Sequence, residues 1–183
     1  MKALPERERP DSLKTLLLLR HAKSSWDDPS LPDFQRPLAP RGMKAAPRMG
    51  RYMRENDLIP DVVLCSAAVR TRQTWALVSA ELRCEPEVRF QRGLYLSDPA
   101  HLLMEIHVQP DAAGTVLLIG HNPGIETLAR RLAGFGPDGE LERLSTKYPT
   151  GALAVLRYAG EHWSGVIRGS CELESFVRPK DLD

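Results

Sequence analysis

The chain has 183 residues, 42% of them hydrophobic and 27% charged, an ordinary soluble composition with length for one domain and a real core. Lys and Arg number 25 against 24 Asp and Glu, a net charge of +1, so the protein as a whole has no attraction for nucleic acid or an anionic membrane, and any anion site must be a local cluster. Cys65, Cys84 and Cys171 are odd in number and lack C-x-x-C spacing, which favours reduced thiols in a cytoplasmic protein over a disulfide framework or a zinc site.

Residues 1–13 are polar and Pro-bearing, have no apolar export segment, and read as a flexible arm. Thr15 to Leu19 is an apolar run that stops abruptly at Arg20 and His21. It is too short to cross a membrane and fits a strand buried on both faces. Ligands in open α/β sheets bind just past the carboxyl ends of strands, where Arg20 and His21 fall. Taken alone, the stretch reads first as a strand ending in two solvated polar residues. Ser24 to Pro40 is Pro-rich and aperiodic, hence a loop, and long loops in compact domains are often functional. A helix follows over about Arg41 to Asn56, with Pro47 marking either its start or a kink. Val62 to Cys65 is a second buried strand ending at Ser66, and Val69 to Leu82 a helix carrying Arg70 and Arg72 in its first turn. Cations there oppose the helix dipole, a cost that an anion at the same place would offset. Arg72 reads as a surface residue; Arg70 lies at the same sheet edge as Arg20.

Val88 to Phe90 reads as a short strand, Pro99 to His107 as a helix, and Thr115 to Ile119 as a third buried strand ending in Gly120-His121-Asn122-Pro123-Gly124. Another helix runs to about Ala133, followed by a Gly-rich break over Gly134 to Gly139. Ala152 to Tyr158, Trp163 to Ile167 and Leu173 to Val177 alternate like antiparallel or edge strands, and 178–183 is a polar tail. The alternation of strands and helices predicts an α/β sandwich with a mostly parallel sheet, formed by 14–177 as a single domain.

Right-handed crossovers put the carboxyl ends of parallel strands on one side. Arg20-His21, Ser66 to Arg70 and Gly120-His121 then face one crevice, with Arg36 able to join from the loop. Two guanidinium forks match the oxygens of a phosphoryl group. A histidine beside them stays neutral and nucleophilic, because like charges lower its pKa. The arginines supply the charge that a metal would otherwise bring, so no metal or other cofactor is called for. His101, His107 and His162 have no such context and read as surface or packing residues.

Arg20-His21-Ala22, Ser66-Ala67-Ala68-Val69-Arg70-Thr71-Arg72-Gln73-Thr74 and Gly120-His121-Asn122-Pro123-Gly124 resemble, in order, three motifs of the histidine phosphatase (phosphoglycerate-mutase-like) superfamily. Arg20 to Ser24, Asp33-Phe34-Gln35-Arg36-Pro37-Leu38 and Arg41-Gly42 resemble its short SixA-type phosphohistidine phosphatases. The resemblance covers about residues 14 to 177 and implies a three-layer αβα sandwich. It makes His21 the phosphorylated residue, Arg20 and Arg70 the phosphate clamp, and His121 a stabiliser of the transferring phosphoryl. Arg36 and Asn122 are read as further substrate contacts.

Ala22 and Ala67 depart from the glycine and proline usual in the wider superfamily, and the catalytic acid that many members carry has no clear equivalent. Asp27, Asp28, Asp98 and Glu126 are the carboxylates considered near the crevice, each readable as a solvated surface group. The missing acid has a physical consequence. Alkoxide leaving groups approach a pKa of roughly 15.7 and imidazole is near about 6.5, a gap with an upper bound of order 12 kcal/mol. P–N bonds are therefore far easier to break without a strong acid. These readings point to a phosphatase acting on phosphohistidine in a protein. The alternatives are a phosphatase of a small phosphorylated metabolite and a non-catalytic phosphate-binding module.

Overall fold

The computed structural model describes residues 13–182. The arm expected over residues 1–13 therefore lies, except for Leu13, outside the described residues. Seven strands form one sheet in the order β3-β2-β4-β1-β6-β7-β5. They are β1 (Leu13–Arg20), β2 (Val62–Ser66), β3 (Glu87–Gln91), β4 (Thr115–Gly120), β5 (Ala133–Phe135), β6 (Leu153–Ala159) and β7 (Cys171–Val177). β3, β2, β4 and β1 run parallel, β6 lies antiparallel to both β1 and β7, and β5 pairs parallel with β7. The five α-helices among the described residues are α1 (Pro40–Glu55), α2 (Val69–Leu82), α3 (Pro99–His107), α4 (Gly124–Leu132) and α5 (Glu140–Thr146).

The four-leucine run of β1 explains the three layers. Alternate residues of a strand face opposite sides. Leu16 and Leu18 join the core beneath α3, α4 and α5, with Leu102, Ile106, Leu128 and Leu144. Leu17 and Leu19 join the core beneath α1 and α2, with Met49, Met53 and Val78. All four leucines are fully buried, worth roughly 2 kcal/mol each in transfer terms. With both faces covered, the middle of β1, Leu16 to Leu19, must be apolar, and its polar residues Lys14, Thr15 and Arg20 lie towards its ends.

Several sequence expectations are refined. α1 begins at Pro40, whose fixed φ suits a first helical position, and Pro47 lies inside the helix, so Pro47 does not mark its start. The stretch Trp163 to Ile167 is not a strand. Trp163–Gly165 is a 3-10 turn, and the buried Trp163 indole donates to the Ala113 carbonyl (2.9 Å). The Gly-rich break contains the short strand β5, and α5 follows it. Residues 178–182 fold back as a 3-10 turn over Pro179–Asp181, closed by hydrogen bonds between Arg178 and Asp181. The cysteines form no disulfide, and Cys65 and Cys171 are buried. Among the described residues no helix is long and apolar enough to cross a membrane.

Candidate active site

β1, β4 and β2 are neighbours in the sheet and parallel, so their carboxyl ends deliver Arg20-His21, Gly120-His121 and Ser66 to one crevice. The His21 and His121 rings lie 5.2 Å apart, centroid to centroid. Arg70, on the first turn of α2, reaches His121 with Nη2 3.2 Å from Nδ1. His21, Arg70 and His121 are all buried; Arg20 is half-buried.

The backbone around His21 is held from three sides. The Ala22 amide donates to Thr74 Oγ1 (3.0 Å), whose hydroxyl donates to the Arg70 carbonyl (2.7 Å), tying the loop after β1 to α2. The Gly151 amide donates to the carbonyls of Arg20 and His21 (3.1 and 2.9 Å), at a φ of 77°. Gly42 packs against the same loop: a Cβ there would lie 2.2 Å from the Lys23 carbonyl oxygen, so only glycine fits.

Hydrogen bonding sets the histidine tautomers. A carbonyl can only accept, so His21 Nδ1–H donates to the Ala22 carbonyl (2.7 Å), and the lone pair is on Nε2. Burial, reinforced by the charges of Arg70 and Arg20, pushes the His21 pKa down to about 3 despite that bond. A guanidinium can only donate, so His121 Nδ1 accepts from Arg70, and its Nε2–H donates to Ser66 Oγ (2.8 Å). Burial, then His21 and Arg70, hold the His121 pKa at about 3 also. Both rings are neutral near pH 7.

The two arginines are engaged differently. Arg20 donates Nη1 to the Tyr148 carbonyl (2.8 Å), while its buried Nε has no partner. Burial works against its charge, and Glu126 supports it. Arg70 donates Nη1 to the Asp33 carbonyl (2.5 Å) and Nη2 to the Asp33 carboxylate (2.9 Å). The same carboxylate accepts from Tyr95 (2.5 Å) and Arg36 (2.7 Å). Burial alone would raise the Asp33 pKa, but the Tyr95 and Arg36 hydrogen bonds and the Arg70 charge outweigh it and hold Asp33 well below the usual carboxylate range. Asp33 is therefore ionised and is no proton donor at neutral pH. Tyr95, whose pKa is raised by burial and by Asp33, stays protonated.

Of the residues singled out in the sequence, the structure brings His21, Arg70 and His121 together around one crevice, with Arg20 at its edge. Arg36 stands behind Asp33, bonded to Ser24 Oγ (2.6 Å) and the Ser25 carbonyl (2.9 Å), with its guanidinium over the exposed Trp26 ring (3.1 Å). Asn122 donates Nδ2 to Glu126 (2.7 Å) and the Tyr148 carbonyl (3.2 Å), while its buried Oδ1 has no partner. Glu126 is also paired with Arg130. Asp98 caps α3, and Asp28 bonds Ser30. Arg72 is exposed, over the Phe90 ring. His107 and His162 bond the Val166 carbonyl and Asp111. Among the described residues no cluster of three or more His, Cys, Asp or Glu is placed to hold a metal.

Three contributors were not assigned from sequence. Asp33 stands inside the motif with Arg36, one 3-10 turn apart, and that spacing is the signal that would have flagged it. Tyr95 follows β3 in a 3-10 turn, with its ring edge-on to His121 (5.3 Å). Tyr148 is fully buried; its hydroxyl donates to the Leu18 carbonyl (2.5 Å) and fixes the loop whose carbonyl Arg20 bonds.

Residues 16–94 match the model of the histidine phosphatase superfamily (branch 1). An uncharacterized protein of Mycobacterium tuberculosis is 40% identical over 164 residues, 88% of this chain and 100% of that protein. Among solved structures, a SixA protein from Nakamurella multipartitia superposes with a TM-score of 0.80 at 31% identity, covering 91% of this chain and 96% of that one. The protein histidine phosphatase SixA complexed with tungstate has the same fold, with a TM-score of 0.74 at 19% identity over 92% of this chain and 99% of its own.

Proposed function

Because the chain belongs to the histidine phosphatase superfamily and is SixA-type, we propose that it is a phosphatase that transfers the phosphoryl group of a protein phosphohistidine to His21 and then to water, without needing a metal. The observation that carries this reading is the His21 tautomer. With Nδ1–H committed to the Ala22 carbonyl and both arginine charges close by, Nε2 carries a lone pair at neutral pH.

In the first step that lone pair forms a P–N bond as the substrate's own P–N bond breaks. The departing imidazole, already protonated on its other nitrogen, leaves as a neutral ring and needs no general acid. His21 becomes a phosphorylated imidazolium, and the positive charge developing at Nδ1–H faces the Ala22 carbonyl, an interaction that strengthens in the transition state. In the second step water attacks phosphorus, His21 Nε2 leaves with its electron pair, and the spare water proton goes to solvent. Arg20 and Arg70 hold the phosphoryl oxygens throughout, and His121 joins them by redirecting its Nε2–H from Ser66 Oγ, while Arg70 keeps its bond to His121 Nδ1. Ionised Asp33 orients Arg70 and supplies no proton. That favours substrates with good leaving groups, and phosphohistidine is one.

The test is phosphate release, in EDTA, from a phosphohistidine peptide and from p-nitrophenyl phosphate, with His21→Ala as control. The expected result is strong preference for the phosphohistidine, lost in the variant. Full activity of folded His21→Ala removes the nucleophile assignment. Turnover of p-nitrophenyl phosphate with no preference for the phosphohistidine peptide replaces the P–N reading with a small-metabolite phosphatase.

A further inference from the structure

Next to the crevice, and sharing Arg20 with it, lies a cleft of about 370 Å³. Every charged residue lining it is positive: Lys23 from the loop after β1, Arg41 from the first turn of α1, Lys147 beside Tyr148, and Arg178 and Lys180 from the C-terminal turn. A second cleft of about 370 Å³ continues from it, sharing Arg41 and Lys180 and adding Lys44. Arg178 is paired with Asp181. The side chains of Lys23, Arg41, Lys147 and Lys180 have no hydrogen bond or ion pair with any described residue.

This concentration is not a consequence of composition, because the whole chain carries a net charge of only +1. Like charges gathered around a cleft repel one another, and the Asp181 pairing of Arg178 leaves Lys23, Arg41, Lys147 and Lys180 uncompensated by any described ion pair. A negative partner would compensate them. The shape and residue types restrict that partner. Lys23, Arg41, Lys147 and Lys180 are all exposed, and the lysines are point charges on flexible stems rather than forks closing on one phosphate. Two clefts that share Arg41 and Lys180, with cations spread over both, suit a series of separated carboxylates better than one compact anion.

We propose that this strip docks an acidic, Asp- and Glu-rich segment of the phosphoprotein whose phosphohistidine enters the crevice. The inference rests on the phosphohistidine-protein reading above and adds the partner's chemistry to it. Exposed charges at the edge of a site act mainly on encounter, so the strip raises kcat/KM through KM, in a salt-dependent way, and leaves kcat nearly unchanged.

The test uses the full chain and three substrates: free phosphohistidine, a phosphohistidine peptide flanked by glutamates, and the same peptide flanked by serines. At low salt the glutamate peptide is expected to exceed the serine peptide by about tenfold in kcat/KM, an advantage that fades towards 0.5 M salt, as screening requires. The Lys147→Glu/Lys180→Glu variant should erase that advantage and leave hydrolysis of free phosphohistidine unchanged, which also reports that the variant is folded. If it does not fold, Lys147→Gln/Lys180→Gln serves the same purpose. Equal kcat/KM for the two peptides, or an advantage that survives in the variant, overturns the inference while leaving the phosphohistidine reading standing. Competition by tripolyphosphate without any peptide preference also overturns it, in favour of a compact polyphosphate site. No hydrolysis of any of the three substrates by the wild type overturns the phosphohistidine reading, and the inference falls with it.

Discussion

Acidification should cost this protein stability, and the cost can be worked from His21 and His121. Both rings are buried, and both have a pKa near about 3 in the folded chain, against about 6.5 when unfolded. The sign follows from proton binding. Between those values the unfolded chain holds more protons than the folded one, so lowering the pH favours unfolding. The contribution is fully present above about pH 6.5 and disappears as the pH falls to about 3. At pH 5 each histidine has lost about 2 kcal/mol of stabilisation and the pair about 4 kcal/mol, a large share of a typical domain's 5–15 kcal/mol. Urea unfolding followed by tryptophan fluorescence from pH 7.5 to 5 measures this directly. His21→Gln and His121→Gln should each remove about half of the pH-dependent loss. NMR titration of either ring in the folded protein with a midpoint between pH 6 and 7 would refute the reasoning, as would wild-type stability that stays flat over this range.

Three further outcomes follow from individual contacts. Asp33→Asn removes the carboxylate shared by Arg70, Arg36 and Tyr95 and should lower stability by about 1–2 kcal/mol in urea titrations, a value discounted because Asp33 is partly exposed. Since Asp33 is ionised and gives no proton, its replacement should slow phosphohistidine, p-nitrophenyl phosphate and alkyl phosphate by similar factors. A loss that grows steeply with leaving-group pKa would make it the general acid after all. Gly42→Ala puts a Cβ into the Lys23 carbonyl and should cost about 1–3 kcal/mol in unfolding free energy, together with activity, by shifting the loop after His21. Tyr148→Phe removes a buried hydroxyl that bonds the Leu18 carbonyl and the Ala154 amide, which remain opposite each other in the β1–β6 ladder; a loss of about 0.5–1.5 kcal/mol is expected by thermal or urea denaturation.

The parts of the fold that could be read in advance are those whose pattern is local. α2 and α3 run between the residues that periodicity and capping chemistry picked out, and the four leucines of β1 announced a strand covered on both sides. β5 and α5 were not legible for opposite reasons. Ala133–Phe135 is three residues long and owes its conformation to pairing with β7, a partner about forty residues away in sequence. Glu140–Thr146 buries only Leu144, too little to register as a helical stripe. Trp163 to Ile167 looked like a strand because its residues alternate, but Trp163–Gly165 is a 3-10 turn anchored by the buried Trp163. In the crevice, Arg20, His21, Arg70 and His121 stood out because each sits at an abrupt end of a buried run or at the start of a helix. Asp33 was hidden because a carboxylate in a Pro-rich loop usually faces water; its meaning comes from Arg70, thirty-seven residues later.

The position of β1 also bears on when the site can exist. Its strand neighbours are residues 115–120 on one side and 153–159 on the other. During synthesis His21 emerges well before residues 115–120 and 153–159, so neither edge of its strand can be paired until those segments have followed. Closing such long loops is slow, so folding of this chain should be dominated by sequence-distant pairing. Until β6 arrives, β1 is an apolar ribbon with an open edge, the kind of segment that chaperones bind and that aggregates when they do not. Placing the reactive end on the central strand means that the protein becomes competent only as its last strands dock.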